Sequence, residues 1–188
     1  MSAPKADDAD TALRELLLPH RDDLTRRWIE VVHGTYPFET IGFLRTRKDR
    51  FANPVGHRTD EAARAVMEAV LAVEVDEDAL GRALEEIVRV RAVQDFAPET
   101  AVGVFFAVKD LIRQVVFAAG DAARHLPALA KLETRIDAVV LMALGAYSRC
   151  REKLFRMKVE ETQRRYAQVL RLAQKYGDAP EDPEQPPA

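Results

Sequence analysis

Ala-Val-Gly-Val-Phe-Phe-Ala-Val-Lys-Asp-Leu-Ile-Arg-Gln-Val-Val-Phe-Ala-Ala, residues 101–119, is the most apolar stretch of the chain. Pro98 suits the first turn of a helix, with Glu99 beside it, so one helix is expected from Pro98 to about Ala119. Val102, Val104, Phe105, Phe106, Val108, Leu111, Ile112, Val115 and Val116 make that helix apolar on most sides, which predicts a place at the centre of the fold. Lys109, Asp110 and Arg113 stand near its middle. Each would cost on the order of 3 kcal/mol at a bilayer centre, so the stretch reads as a buried helix and not as a membrane span.

The same periodicity extends outward on both sides. Asp76 is placed to cap a helix carrying Leu80, Leu84, Ile87, Val88 and Val90. Thr59-Asp60-Glu61 offers a cap and first-turn acids for a helix with Ala62, Val66, Met67, Val70 and Leu71 on one face. Leu24, Trp28, Val31 and Val32 form a stripe that Gly34 and Pro37 end. Leu13, Leu16 and Leu17 mark a first short helix closing near Pro19. Residues 38–44 read as a short helical segment and 49–54 as a loop. On the other side, Gly120, Asp121 and Pro127 mark a connection. A final helix is expected from near Ala128 to Tyr176, with Leu129, Leu132, Ile136, Val140, Ala143 and Tyr147 on one face. No window alternates in the manner of a strand, so the fold class is all-α, with a long C-terminal helix.

The end of that helix changes period. Phe155, Val159, Thr162, Tyr166, Val169, Ala173 and Tyr176 are spaced 4, 3, 4, 3, 4, 3, the seam of a coiled coil. At about 1.5 Å per residue it would run for roughly 33 Å. Thr162 and Ala173 make it weak. Self-association into a homodimer through this seam is one reading; packing on its own domain is the other.

The charge balance excludes one class of partner. The chain of 188 residues carries 28 basic and 31 acidic side chains, a net −3. Its first ten and last twelve residues hold seven acids and a single base, so residues 11–176 carry +3. A body this close to neutral is not a general nucleic-acid binder. The lone cysteine, Cys150, excludes an internal disulfide, and a reduced, cytoplasmic setting follows. The N-terminus is acidic and has no apolar core of a secretion signal. The expected layout is a disordered acidic stretch over 1–10, a domain over 11–150, a helix extension and candidate coiled coil over 151–176, and a disordered Pro/acid tail over 177–188.

Candidate binding residues are few. Arg45, Arg47, Lys48 and Arg50 cluster before Arg58, and they read either as a phosphate or acidic-partner site or as a solvated face. Arg89, Arg91, Gln94 and Asp95 close the helix before Pro98, where the helix dipole alone favours arginine; a binding role stands beside that structural one. His57 follows Gly56 at the head of a helix, where a surface or capping role is the plainer reading. In Asn53-Pro54-Val55-Gly56, proline pushes Asn53 out of the α region and Gly56 is placed for a positive φ, so the loop reads first as structural. The four histidines are scattered and no metal-ligand spacing or phosphate loop occurs. Glu85-Glu86 and Glu160-Glu161 are adjacent, so they do not face one another on a helix. Cys150 has no base placed by spacing. No metal, no cofactor and no catalysis are expected.

Two segments carry a resemblance: Arg50-Phe-Ala-Asn-Pro-Val-Gly-His57 and Ile87-Val-Arg-Val-Arg-Ala-Val-Gln-Asp-Phe-Ala-Pro-Glu99. With Trp28 and Tyr36-Pro37 before them, they resemble the N-terminal sensory domain of the RsbR/RsbRD co-antagonist family over about residues 11–150. The resemblance implies a globin-like, non-haem, dimeric all-α domain of stressosome-type signalling proteins, with an unidentified signalling protein as partner. Family members commonly continue into a STAS domain with phosphorylatable Ser or Thr. Here a Pro/acid tail follows, which implies a free-standing sensory module. A globin holds haem through a histidine on the helix before the central one, and residues 78–93 contain none. Met67, Ile87, Phe96, Phe105 and Phe106 are the residues expected to fill that space. The alternative is a small-molecule sensor with an apolar ligand between helices and the Arg/Gln cluster as its polar contacts.

Overall fold

The computed structural model describes residues 6–36 and 54–177. Among these residues there is no strand, and the chain is all-α. It comprises α1 (Ala6–Leu17), α2 (Arg21–Gly34), α3 (Pro54–Leu71), α4 (Glu77–Val93), α5 (Pro98–Gly103), α6 (Ala107–Ala118) and the long α7 (Ala122–Gly177). A 3-10 turn, Leu18–His20, joins α1 to α2 with Pro19 inside it. The chain divides into two compact units, residues 1–150 and 151–188. Residues 38–44, and 49–53 of the expected loop, lie outside the described residues.

In the first unit, α3 packs on α2 and α4, α2 and α1 pack on α6, and α4 packs on α5. The pivot is Trp28, fully buried on α2. Its indole Nε1 donates to the Val104 carbonyl at 2.8 Å, and its ring tilts against Phe105 at 5.5 Å between centroids. Leu24, Val66, Met67, Leu84, Ile87 and Ile112 complete the innermost layer.

That tryptophan bond explains a correction. The expected single helix over Pro98–Ala119 is two helices, α5 and α6, separated at 104–106. Gly103 is a poor helix-interior residue. In an unbroken helix the Val104 carbonyl would accept from the Val108 N–H. Here Val108 donates to Phe105 instead, at 3.3 Å, and Trp28 takes the freed carbonyl. The turn leaves Phe106 48% exposed, so Phe106 fills no interior space. Phe105, Met67 and Ile87 are buried, and Phe96 is half-buried.

Two charged residues of α6 face α7. Lys109 Nζ meets Asp137 Oδ1 at 2.6 Å. Arg113 forks onto Glu133, Nε to Oε1 at 2.6 Å and Nη2 to Oε2 at 3.0 Å. The Glu133 hydrogen bond and charge raise the Arg113 guanidinium above its ordinary value. The charges inside the apolar stretch are therefore not core, and Gln114 and Phe117 on the same helix are exposed as well.

Other boundaries also differ. α1 opens at Ala6, inside the stretch expected to be disordered, and Asp10 on it meets Lys131 at 3.0 Å. α3 begins at Pro54, so Thr59 is a buried mid-helix residue and not a cap. Proline at a helix start forfeits no bond, since its missing N–H is one of the orphans there. Gly56 is consequently helical, and the only left-handed glycine among the described residues is Gly120. α7 begins at Ala122 and takes Pro127 within it. So close to the start, proline forfeits a single bond to the fourth residue before it. The Asp76 cap forms as its position predicts, Oδ1 accepting from the Ala79 N–H at 2.9 Å.

Candidate functional site

The Arg89–Pro98 segment is the end of one helix and the start of the next. Gln94 follows the last turn of α4 and Asp95 adopts a left-handed φ of 61°. The Phe96 N–H then reaches back to the Arg91 carbonyl at 3.1 Å and the Asp95 N–H to Ala92 at 3.3 Å. These two bonds are the Schellman closure of a helix C-terminus, in which glycine is the usual left-handed residue. Ala97 is extended, as a residue before proline must be, and Pro98 opens α5.

The closure folds Phe96 over Arg91. The guanidinium lies 4.6 Å from the Phe96 centroid and 5.3 Å from that of Tyr36, and the two rings meet edge to face at 5.1 Å. Arg91 Nη2 donates to Thr35 Oγ1 at 2.7 Å and to the Thr100 carbonyl at 2.9 Å. The Tyr147 hydroxyl of α7 donates to the Phe96 carbonyl. Arg91 is wholly buried, and its Nε and Nη1 have no hydrogen-bond partner. Burial lowers the Arg91 guanidinium from its ordinary value, opposed by its electrostatic interaction with Tyr36. Burial raises the Tyr36 hydroxyl, opposed in turn by Arg91.

The remaining predicted residues do not join Arg91. Arg89 is exposed and pairs with Glu86 at 2.7 Å one turn away. Gln94 is exposed. His57 is half-buried and its Nε2 lies 3.1 Å from Glu61 Oε1. Arg47, Arg50 and Asn53, like Arg45 and Lys48, lie outside the described residues. The Arg/Gln set is thus divided between interior and surface, and none of it lines the cleft described next.

Sequence reading did not find that cleft. It encloses about 430 Å³ between α1, the end of α3 and α7, on a floor that includes Leu13, Leu17, Val70 and Leu71. Arg14, Lys131 and Arg135 stand at its edge, contributed by two helices. A second polar pair was also missed: buried His33 Nε2 lies 3.4 Å from Asp60 Oδ1, without hydrogen-bond geometry. No spacing signal exists for either, because the partners are remote in sequence.

The second unit is described by itself. From 151 to 174 every side chain of α7 is exposed except half-buried Leu154. The seam residues Phe155, Val159, Thr162, Tyr166, Val169 and Ala173 are all among the exposed ones, Phe155 at 70% and Tyr166 at 68%. The Tyr176 side chain lies outside the description. Among the described residues no three His, Cys, Asp or Glu side chains group to hold a metal, and no helix is long and apolar enough to cross a membrane.

Comparison with curated proteins and with solved structures finds no match. The family model for the RsbT co-antagonist protein rsbRD N-terminal domain matches residues 22–162.

Proposed function

The chain belongs to the family of RsbT co-antagonist protein rsbRD N-terminal domains, and from that membership we propose a non-enzymatic, cytoplasmic signalling and sensory module that acts by dimerisation and protein–protein contact. One observation carries the proposal: a heptad-like row of apolar side chains left uncovered along residues 155–173. Contiguous exposed apolar surface on a soluble chain marks an interaction face, and a 4-3 repeat selects a second helix as its cover. An identical helix offers the same row. The module uses no haem, since residues 78–93 carry no histidine to serve as axial ligand. Its partner is another signalling protein, neither nucleic acid nor membrane.

Val159→Asp combined with Val169→Asp tests this on the full chain. Sedimentation at tens of micromolar should show a dimer for the unaltered protein and a folded, helical monomer for the double variant. A monomeric unaltered chain, or a double variant as dimeric as its parent, overturns the proposal. A second reading, a sensor for a small apolar molecule, is favoured by the cleft between α1, α3 and α7, whose volume falls within the range of ligand sites.

A further inference from the structure

We propose that the cleft between α1, the end of α3 and α7 is a binding site for a compact apolar carboxylate. The inference rests on the sensory reading and names the chemistry of its ligand. Three features of the cleft lead to it.

The first is the floor. Leu13, Leu17, Val70 and Leu71 are each no more than 5% exposed, and half-buried Leu132 closes one side. Leu18 and Val73 stand exposed at the lip. A ligand body laid here removes apolar surface from water on both sides.

The second is the state of the arginines. Arg14 Nε donates to the Leu71 carbonyl at 3.1 Å. Arg135 Nη1 donates to Val70 at 3.3 Å and to Ala72 at 2.6 Å. Between them the two guanidiniums take three consecutive carbonyls where α3 ends, Arg14 the middle one and Arg135 the two that flank it. Each keeps a terminal nitrogen uncommitted: both Nη of Arg14, and Nη2 of Arg135 with its neighbouring Nε. No carboxylate pairs with either among the described residues. An arginine fixed through one edge and open on another is prepared to fork onto a carboxylate, because less side-chain freedom remains to be lost.

The third is the charge count. Six polar side chains line the cleft: Asp10, Thr11, Arg14, Glu15, Lys131 and Arg135. Lys131 and Asp10 neutralise each other at 3.0 Å. Arg14 and Arg135 set against Glu15 leave one positive charge. That excess matches a monoanion and not a phosphate dianion. The half-open shape between three elements suits a compact body and not a long extended tail.

The experiment uses the full chain and isothermal titration with 4-phenylbutyrate, its neutral analogue 4-phenylbutanol and 4-phenylbutyl phosphate. Phenylbutyrate should bind saturably at one site per chain and raise the melting temperature. Phenylbutanol should bind at least about tenfold more weakly, the scale of a lost charge-assisted bond, and the phosphate no more tightly than the carboxylate. Arg14→Gln with Arg135→Gln should weaken phenylbutyrate about tenfold and leave phenylbutanol unchanged. Should that variant fail to fold, Leu132→Trp, which fills the cleft and leaves both arginines in place, should abolish phenylbutyrate binding instead. Absence of saturable binding, equal binding of acid and alcohol, tighter binding of the phosphate, or a carboxylate affinity that ignores these substitutions overturns the proposal. A chain that dimerises through its seam and binds no phenylbutyrate defeats the cleft alone and leaves the signalling reading standing.

Discussion

Arg91 and the pair Arg14/Arg135 use one chemistry in two settings. All three donate from a guanidinium to backbone carbonyls at the ends of helices. Arg91 does so in a closed corner, between two aromatic rings and with no exposed surface. The pair does so at the edge of an open cleft. A buried cation without a carboxylate is costly, so the corner around Arg91 must be held by its neighbours. Two polar acceptors and two ring faces supply part of that compensation, cation–π contact being worth more where water is excluded. The cleft arginines keep contact with water and bear no such cost. Enclosure therefore makes one arginine a structural element, and openness leaves the other two available to a ligand.

The comparison breaks most directly at Arg91. Arg91→Ala removes a fully buried side chain and its bonds to Thr35 and Thr100, and should destabilise the domain by about 3 kcal/mol. Arg91→Met keeps the bulk but removes the charge and the two unpartnered donors. It should cost about 1 kcal/mol, because the lost hydrogen bonds are offset by relief of the uncompensated charge. Urea unfolding of both variants reads the difference. Equal losses would mean that the bulk methionine retains contributes nothing and that the guanidinium's bonds and charge alone hold the corner.

A smaller effect follows from Tyr36. Its hydroxyl is raised by burial, more than the Arg91 charge lowers it. The folded state then holds the tyrosine proton more tightly than the unfolded chain does. Linkage makes this contribution complete below the ordinary tyrosine value of about 10 and lost as pH climbs through the raised folded value. The unaltered protein should lose stability above about pH 10 more steeply than Tyr36→Phe, which has no proton to release. Unfolding free energies measured at a series of pH values on either side of that point compare the two. Parallel curves would place Tyr36 in contact with water.

Most of the fold was legible because period decides burial in helices. The stripes of α2, α3, α4 and the body part of α7 are the faces that the structure buries, apart from Val31, which is exposed, and half-buried Val90 and Leu132. What periodicity missed were choices made by remote partners. Gly103 weakens a helix, but only Trp28, 76 residues away from Val104, takes the carbonyl that the break frees. The cleft was invisible for the same reason: Arg14, Leu71 and Arg135 meet only in space. Within Arg89–Asp95 the residues were identified but not their division. Residues two apart on a helix do not share a face, so one arginine of Arg-Val-Arg enters the core and the other leaves it.

That division supplies the smallest expected effect. Arg89 stands two residues from Arg91 on the same helix, with 47% of its side chain in solvent and Glu86 one turn before it. Exposed pairs of this kind contribute a few tenths of a kcal/mol, because water screens the attraction and two long side chains must be ordered. The helix dipole adds a similar amount for a cation in the last turns of α4, and salt weakens both. Arg89→Gln should therefore lower stability by about 0.5 kcal/mol at low ionic strength, with most of that loss gone in molar salt. The same measurement on Arg91→Met separates the two by salt dependence as well as by size, since a guanidinium enclosed by Tyr36 and Phe96 is beyond the reach of added ions. If Arg89→Gln instead cost as much as Arg91→Ala, the two arginines would belong to one energetic unit, and enclosure would not be what distinguishes them.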